Sequence, residues 1–222
     1  MNKVIFWHTY LVGDYKLVVQ EQITKLITSG LYDNVDYIFT GISAKSITDV
    51  NWFVELLKSY KKFFPIVHTD NDGEKPTMRL LSKYVKENDC YIMYFHTKAV
   101  STTGINNTMW RYSMDYNLIY RWKECVQLLD SGSDAVGCNL RKDTHVGYYP
   151  HFSGTYWWSK SNYIKTLDEK YLYDTQLLGN ANPLTVEFFI GSNHNGNLTS
   201  IFECKDEAPY RVECLINEYI KV

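Results

Sequence analysis

Cys90-Tyr-Ile-Met-Tyr-Phe-His96 is a seven-residue run that carries no formal charge before its closing histidine. A short run that is apolar or aromatic at successive positions, not only at alternate ones, reads as a strand covered on both faces. Its surroundings agree. Residues 76–86 before it have helical spacing, with Pro76 in the first turn where a missing N–H costs nothing. Residues 108–129 after it predict one long helix whose apolar stripe includes Trp110, Met114, Leu118, Trp122, Cys125 and Leu129. Working backwards, 64–68 reads as strand, 48–61 as helix, 35–40 as strand, 14–29 as helix and 4–10 as strand. Asp14 is placed to cap the first helix and Gly30 to end it. Strand-helix alternation of this kind predicts the α/β class, with a mostly parallel central sheet flanked by helices.

Beyond residue 130 the pattern loosens. Residues 134–138 read as strand, 139–150 as a polar loop and 155–158 as an aromatic strand, so mixed pairing is expected there. Asn182 and Pro183 form a helix start, 184–190 a short helix and Gly191 its stop. Residues 198–222 hold one short strand and a closing helix or strand. With no repeat, low-complexity segment or linker, 1–222 is expected to be a single domain.

The 222 residues are 45% hydrophobic and 22% charged, which excludes disordered and fibrous classes. Twenty-three basic against 25 acidic side chains leave no global field for a nucleic-acid backbone or an anionic membrane. An anionic ligand must therefore meet a local cluster. Five cysteines without a C-x-x-C spacing suggest neither a disulfide framework nor a zinc site, and read as reduced thiols. No signal-peptide pattern opens the chain and no apolar run approaches the roughly 18 residues of a membrane span. A cytoplasmic location is the expectation, with the sequons at Asn107 and Asn197 coincidental.

In an open α/β sheet, ligands collect beyond the carboxyl ends of the strands. Those ends read His8-Thr9-Tyr10, His68-Thr69-Asp70-Asn71-Asp72-Gly73-Glu74, Phe95-His96-Thr97-Lys98 and Gly137-Cys138-Asn139. Neither a dinucleotide-binding nor a P-loop glycine pattern is present, and there is no G-x-S-x-G elbow. Lys98 and His96 stand where a buried strand meets the surface. An ammonium and an imidazole placed there suit a diphosphate; a strand that simply ends in solvated polar residues suits the same letters.

Phe95-His96-Thr97-Lys98, Trp110-Arg111, Val136-Gly137-Cys138-Asn139, His151-Phe152-Ser153-Gly154-Thr155-Tyr156-Trp157-Trp158 and Glu187-Phe188-Phe189-Ile190-Gly191 follow one another in order and spacing. The chain thereby resembles GT-A-type glycosyltransferases, among them the sugar-transferring domain of a chlorella-virus protein that builds capsid glycans and bacterial polysaccharide-synthesis relatives. The resemblance covers nearly the whole chain. It implies a nucleoside-diphosphate sugar donor, of the uridine diphosphate kind, and a glycan acceptor as the partners. His8, Tyr10, Val12, Glu74, His96, Lys98 and Arg111 fall on the donor side, with Tyr10 and Val12 placed to sandwich the base. Acceptor positions are His151, Ser153, Gly154, Trp157 and Trp158, and Glu187 is the candidate catalytic carboxylate, as general base to the acceptor hydroxyl or as stabiliser of an oxocarbenium-like transition state.

Enzymes of this kind mostly hold Mn²⁺ or Mg²⁺ with Asp-x-Asp after the fourth strand. Here that position reads His96-Thr97-Lys98, and the literal Asp-x-Asp is Asp70-Asn71-Asp72 after the third strand, also an ordinary turn composition. The metal candidates are therefore Asp70, Asp72 and His96. Ala99 stands where the resembling family has glycine. A rival class is a non-catalytic carbohydrate- or nucleotide-sugar-binding module on the same sheet. A nucleotidyltransferase is the third, and the glycine-rich signature it would carry near residue 10 is missing.

Overall fold

A computed structural model describes residues 1–70, 72–101, 104–142, 150–178 and 184–204. In chain order the elements are β1 (Asn2–Leu11), α1 (Tyr15–Thr28), α2 (Leu31–Asn34), β2 (Tyr37–Ala44), α3 (Ile47–Leu57), β3 (Phe63–Val67), α4 (Lys75–Glu87) and β4 (Cys90–His96). Then follow α5 (Ile105–Asp115), a π-helical turn (Tyr116–Tyr120), α6 (Trp122–Asp130), β5 (Ala135–Cys138), β6 (Leu140–Arg141), β7 (His151–Phe152), β8 (Trp157–Lys160), α7 (Ser161–Ile164), α8 (Lys170–Tyr173), α9 (Thr185–Phe189) and β9 (Leu198–Phe202).

The main sheet has the order β3-β2-β1-β4-β8-β5-β9. β1, β2, β3 and β4 pair in parallel, as do β5 and β9, while β8 runs antiparallel between β4 and β5. The mostly parallel sheet and the mixed pairing in its second half are both as the sequence predicts. From β1 the chain builds outward through β2 and β3, then returns to the other side of β1 for β4. That reversal opens a crevice at the carboxyl ends of β1 and β4. Register places His8 of β1 directly beside His96 of β4 at its mouth.

Successive residues of β1 feed two separate cores. Ile5 and Trp7 pack under α1, α3, α5 and α6, whereas Val4 and Phe6 pack under α4, α7, α8 and α9. All seven residues of β4 are buried. Trp7 stacks on Phe95 with ring centroids 5.5 Å apart and meets Phe53 edge-on at 5.6 Å. Each such fully buried side chain contributes about 1.5–3 kcal/mol through removal of apolar surface from water.

Two expectations change. The helix over 108–129 is not continuous: Arg121 N–H bonds the Tyr116 carbonyl in an i→i+5 step, and Trp158 Nε1 donates to the Leu118 carbonyl at 2.9 Å. The apolar stripe persists through the turn, with all six of its residues buried, so periodicity alone does not register it. Asp14 makes no side-chain cap, because its φ of −82° and ψ of 26° are not the extended backbone that turns a side chain over the first helical turn. Ser46 does cap α3, accepting from Thr48 N–H at 3.2 Å. Asn182, Pro183 and the closing element after 204 lie outside the described residues. Cys90, Cys125, Cys138 and Cys204 are free thiols.

Candidate active site

The crevice at the strand crossover contains a cavity of about 740 Å³, of the size that holds a small-molecule ligand. Its floor is the carboxyl ends of β1 and β4, contributing His8, Tyr10, His96 and Thr97. One wall is the segment leading into α4, with Asp72, Glu74 and Lys75; another is Lys98 to Ser101. A second cavity of about 300 Å³ shares Tyr10, Val100 and Ser101 with the first and is lined also by Val12 and Lys45.

Hydrogen bonds define the state of His96. Its Nε2 lies 2.9 Å from the Gly154 carbonyl, which can only accept, so Nε2 carries the proton and Nδ1 is bare. Nδ1 faces Glu74 Oε1 at 3.4 Å. Burial, followed by the charge of Lys98, holds the His96 imidazole far below its ordinary range, at about 3. Glu74 accepts from Tyr94 Oη at 2.8 Å, and burial raises its carboxyl to about 7. The His96 carbonyl is fixed from behind by Gln22 Nε2 at 3.1 Å and by the Tyr156 hydroxyl.

Lys98 Nζ sits 4.2 Å from the Trp110 ring centroid, a cation–π contact that holds the ammonium at the cavity wall. The turn that carries it passes through Ala99 at φ +68°, so the chain takes the left-handed conformation here without glycine. Gly13 lets this turn approach: a Cβ there would overlap the Val100 carbonyl oxygen. Glu187 is largely buried beside Val186, which lines the cavity, and its Oε2 is 3.9 Å from His151 Nε2. Burial raises its carboxyl, opposed by the charges of Lys98 and His151 and reinforced by Glu74.

The structure thus brings together His8, Tyr10, Glu74, His96 and Lys98 around one cavity, with Val12 in the adjoining one and Glu187 and His151 beside it. Others lie elsewhere. Arg111 is turned away from the cavity: its side chain is 3% exposed, donates to Glu21 at 2.7 Å and feels Asp115. Trp157 and Trp158 are fully buried, one in each core, because β8 lies inside the sheet and both its faces are covered. Neither ring is available to stack on a sugar. Gly154 has φ +97°, and a Cβ there would lie 2.6 Å from Met114 Sδ, so its close approach is to α5. Ser153 is half-buried next to it.

The metal candidates do not assemble. Asp70 and Asp72 both pair with Arg79, the former at 3.2 Å, and Asp72 lies 3.8 Å from Lys75 Nζ. Among the described residues no three His, Cys, Asp or Glu side chains converge to hold an ion. Asp70 and Asp72, ahead of α4, are answered by the Arg79 guanidinium.

Several cavity residues carry no signal in the sequence. Ser43 Oγ is buried on the cavity wall and has no hydrogen-bond partner among the described residues, a condition that points to a ligand group. Lys75 is a buried cation on the same wall. Thr77 and His68 support His8 from below. A lysine at a helix start and a serine near a strand end look like ordinary surface letters until the sheet closes over them.

A family model described as "Domain of unknown function (DUF8361)" matches residues 9–199. The chain belongs to that family. No curated protein matches the sequence. Among solved structures, this family member is similar to 4-diphosphocytidyl-2C-methyl-D-erythritol synthase from Anaerococcus prevotii, at 11% identity and a TM-score of 0.50, over 90% of this chain and 87% of that one. Weaker likenesses are to residues 1–349 of S. aureus TarS (11% identity, TM-score 0.45, 90% and 58% covered) and to HddC from Yersinia pseudotuberculosis (11%, 0.46, 91% and 91%). What is shared at such identities is fold. The chain has the Rossmann-like sheet of the GT-A and nucleotidyltransferase kind, and no helix of the described residues is long and apolar enough to cross a membrane.

Proposed function

We propose that the chain is a glycosyltransferase that moves a sugar from a nucleoside diphosphate, of the uridine diphosphate kind, to a glycan hydroxyl. The observation that carries this reading is one cavity at the strand crossover in which Lys98 and Lys75, two neutral imidazoles, a partly protonated Glu74 and the unpartnered Ser43 hydroxyl meet. A cation beside hydrogen-bonding groups of both kinds suits a ligand that is part diphosphate and part polyol. The adjoining cavity between Tyr10 and Val12 suits the base.

In this reading Lys98 stabilises the leaving diphosphate, with Lys75 behind it, and Glu74 meets hydroxyls of the donor sugar. The acceptor oxygen attacks the anomeric carbon and its proton passes to a Glu187 carboxylate oxygen. The bond from the anomeric carbon to the diphosphate oxygen breaks, and the diphosphate leaves with the electron pair. The raised carboxyl of Glu187 gives a stronger base than a solvated glutamate. His151 steadies the same side chain. The single domain over 1–222 and a kinship to capsid-glycan and polysaccharide enzymes belong to the same proposal.

The test is a panel of uridine diphosphate sugars, with and without Mn²⁺, scored for release of free uridine diphosphate. Release is expected from at least one donor. Glu187→Gln is expected to lower kcat by about 10²–10⁴ while leaving donor affinity in place, the split that marks a transition-state role. A fall in folding stability with no kinetic split would make Glu187 structural. The internal pairing of Arg111 with Glu21 and of the Asp-x-Asp with Arg79 favours the second reading, a non-catalytic sugar- or nucleotide-binding module. Binding of a donor with no release for any donor and acceptor selects it.

A further inference from the structure

A divalent ion on a nucleotide needs only one or two carboxylates from the protein, because phosphate oxygens and water complete its shell. Asp72 and Glu74 line the main cavity and Glu187 stands beside it, and each already has a partner in the chain. One oxygen of Asp72 meets Arg79 Nη2 in a short contact, and the other lies 3.8 Å from Lys75 Nζ. Asp70 is 3.2 Å from the same guanidinium. Glu74 accepts from Tyr94 Oη at 2.8 Å through one oxygen and turns the other to His96 Nδ1 at 3.4 Å. Glu187 Oε2 is 3.9 Å from His151 Nε2. Asp14 belongs to the adjoining cavity, whose lining also includes Lys45.

The cations are arranged the other way. Lys98 follows β4, where enzymes of the resembling kind place their carboxylates, and its ammonium is held 4.2 Å from the Trp110 ring centroid. Its charge reaches Glu74, His96 and Glu187. Lys75 lines the same cavity with only 2% of its surface exposed. A dication brought to this corner would stand against both ammonium groups in a site shielded from water. It would also have to displace a proton, since burial raises the Glu74 carboxyl to about 7 and a carboxyl must be ionised to hold an ion.

We propose that Lys98 and Lys75 supply the positive charge that Mn²⁺ or Mg²⁺ supplies in enzymes of the resembling kind, so that this chain binds a diphosphate, and releases it from a sugar, without a divalent metal. The inference rests on the nucleotide-sugar reading and deepens it. One ammonium for each phosphate meets the charge that gathers on the diphosphate as the anomeric C–O bond breaks and the electron pair leaves with its oxygen. The buried Ser43 hydroxyl, which has no partner among the described residues, adds a neutral donor on the same wall. Arg79 contributes indirectly, by keeping Asp70 and Asp72 paired and away from an ion.

Calorimetric titration of uridine diphosphate into the full chain, once in EDTA and once with Mn²⁺, tests this. The two affinities are expected to agree within about threefold. A larger gain with Mn²⁺ overturns the inference, as does release of uridine diphosphate from a donor sugar that occurs only with Mn²⁺. Lys75→Met, which keeps the apolar stem and removes the charge, is expected to weaken binding in EDTA by about tenfold or more. Unchanged affinity in that variant overturns the pairing of the two lysines, and the wild-type comparison decides even if the variant does not fold. A chain that binds uridine diphosphate only with Mn²⁺ keeps the nucleotide-sugar reading and loses this inference. Binding under neither condition overturns both.

Discussion

Two clusters of ionisable side chains meet at His96, one behind its carbonyl and one around its ring. Behind it, between α1 and α5, Lys25 pairs with Asp115 at 2.7 Å and Arg111 with Glu21 at 2.7 Å, and Gln22 and Tyr156 join the group to the His96 carbonyl. Two cations there answer two carboxylates within the chain. Around the ring the account differs. Lys98 has no carboxylate within ion-pair distance among the described residues, Glu74 holds its proton to near neutral pH, and Ser43 has no partner. Charges closed on each other hold a fold, and charges left facing a cavity await a ligand. Arg111 and Lys98 look alike in sequence and stand on opposite sides of that division.

The largest effect that can break the comparison is Arg111→Ala. Removing the buried guanidinium leaves Glu21 without its cation and Asp115 with Lys25 alone, so the variant is expected to lose about 3–5 kcal/mol in urea unfolding with donor affinity unchanged in the protein that remains folded. Weakened donor binding at full stability would move Arg111 into the site.

The strand-helix alternation, the mostly parallel sheet and β4 are legible in the sequence because they rest on periodicity and length, which local letters carry. The cavity floor is legible for the same reason, since His8, His96 and Lys98 sit where strands end. What sequence does not carry is partnership across the sheet. Nothing local shows that Arg79 answers Asp70 and Asp72, or that Glu21, 90 residues away, answers Arg111. The resemblance places Trp157 and Trp158 on the acceptor side, and nothing in their local letters shows that both rings are covered. Their burial is decided by β8 lying between β4 and β5, a long-range fact. Thr77 has no signal at all until α4 is laid against the sheet.

Next in size is the pH dependence of Glu74. Its folded value of about 7 lies above the ordinary 4.5, so between these the native chain holds more protons than the unfolded one, and stability falls as pH rises through that window. His8 and His96, lowered to about 3, work in the opposite sense between about 3 and 6.5 and are common to both chains being compared. Glu74→Gln is therefore expected to gain on wild type by on the order of 2–3 kcal/mol between pH 4.5 and pH 8, relative to their difference at pH 4. A stability difference independent of pH would place an ordinary carboxylate there.

The smallest effect is Ala99→Gly. Relief of a left-handed alanine is worth about 1–2 kcal/mol and the added freedom of the unfolded glycine returns about 0.5–1 kcal/mol of it. A net gain of up to about 1 kcal/mol in thermal or urea unfolding is expected, and a loss would show that the turn beside Lys98 draws on the alanine methyl.

Calorimetric titration of uridine diphosphate into wild type and Lys98→Ala puts the open cavity to its plainest test. Loss of a direct hydrogen bond to charge amounts to about 1.5–3 kcal/mol, so the variant is expected to bind roughly 10- to 150-fold more weakly while unfolding at the same urea concentration. Equal affinity in the two proteins would contradict the assignment of this strand end to a diphosphate.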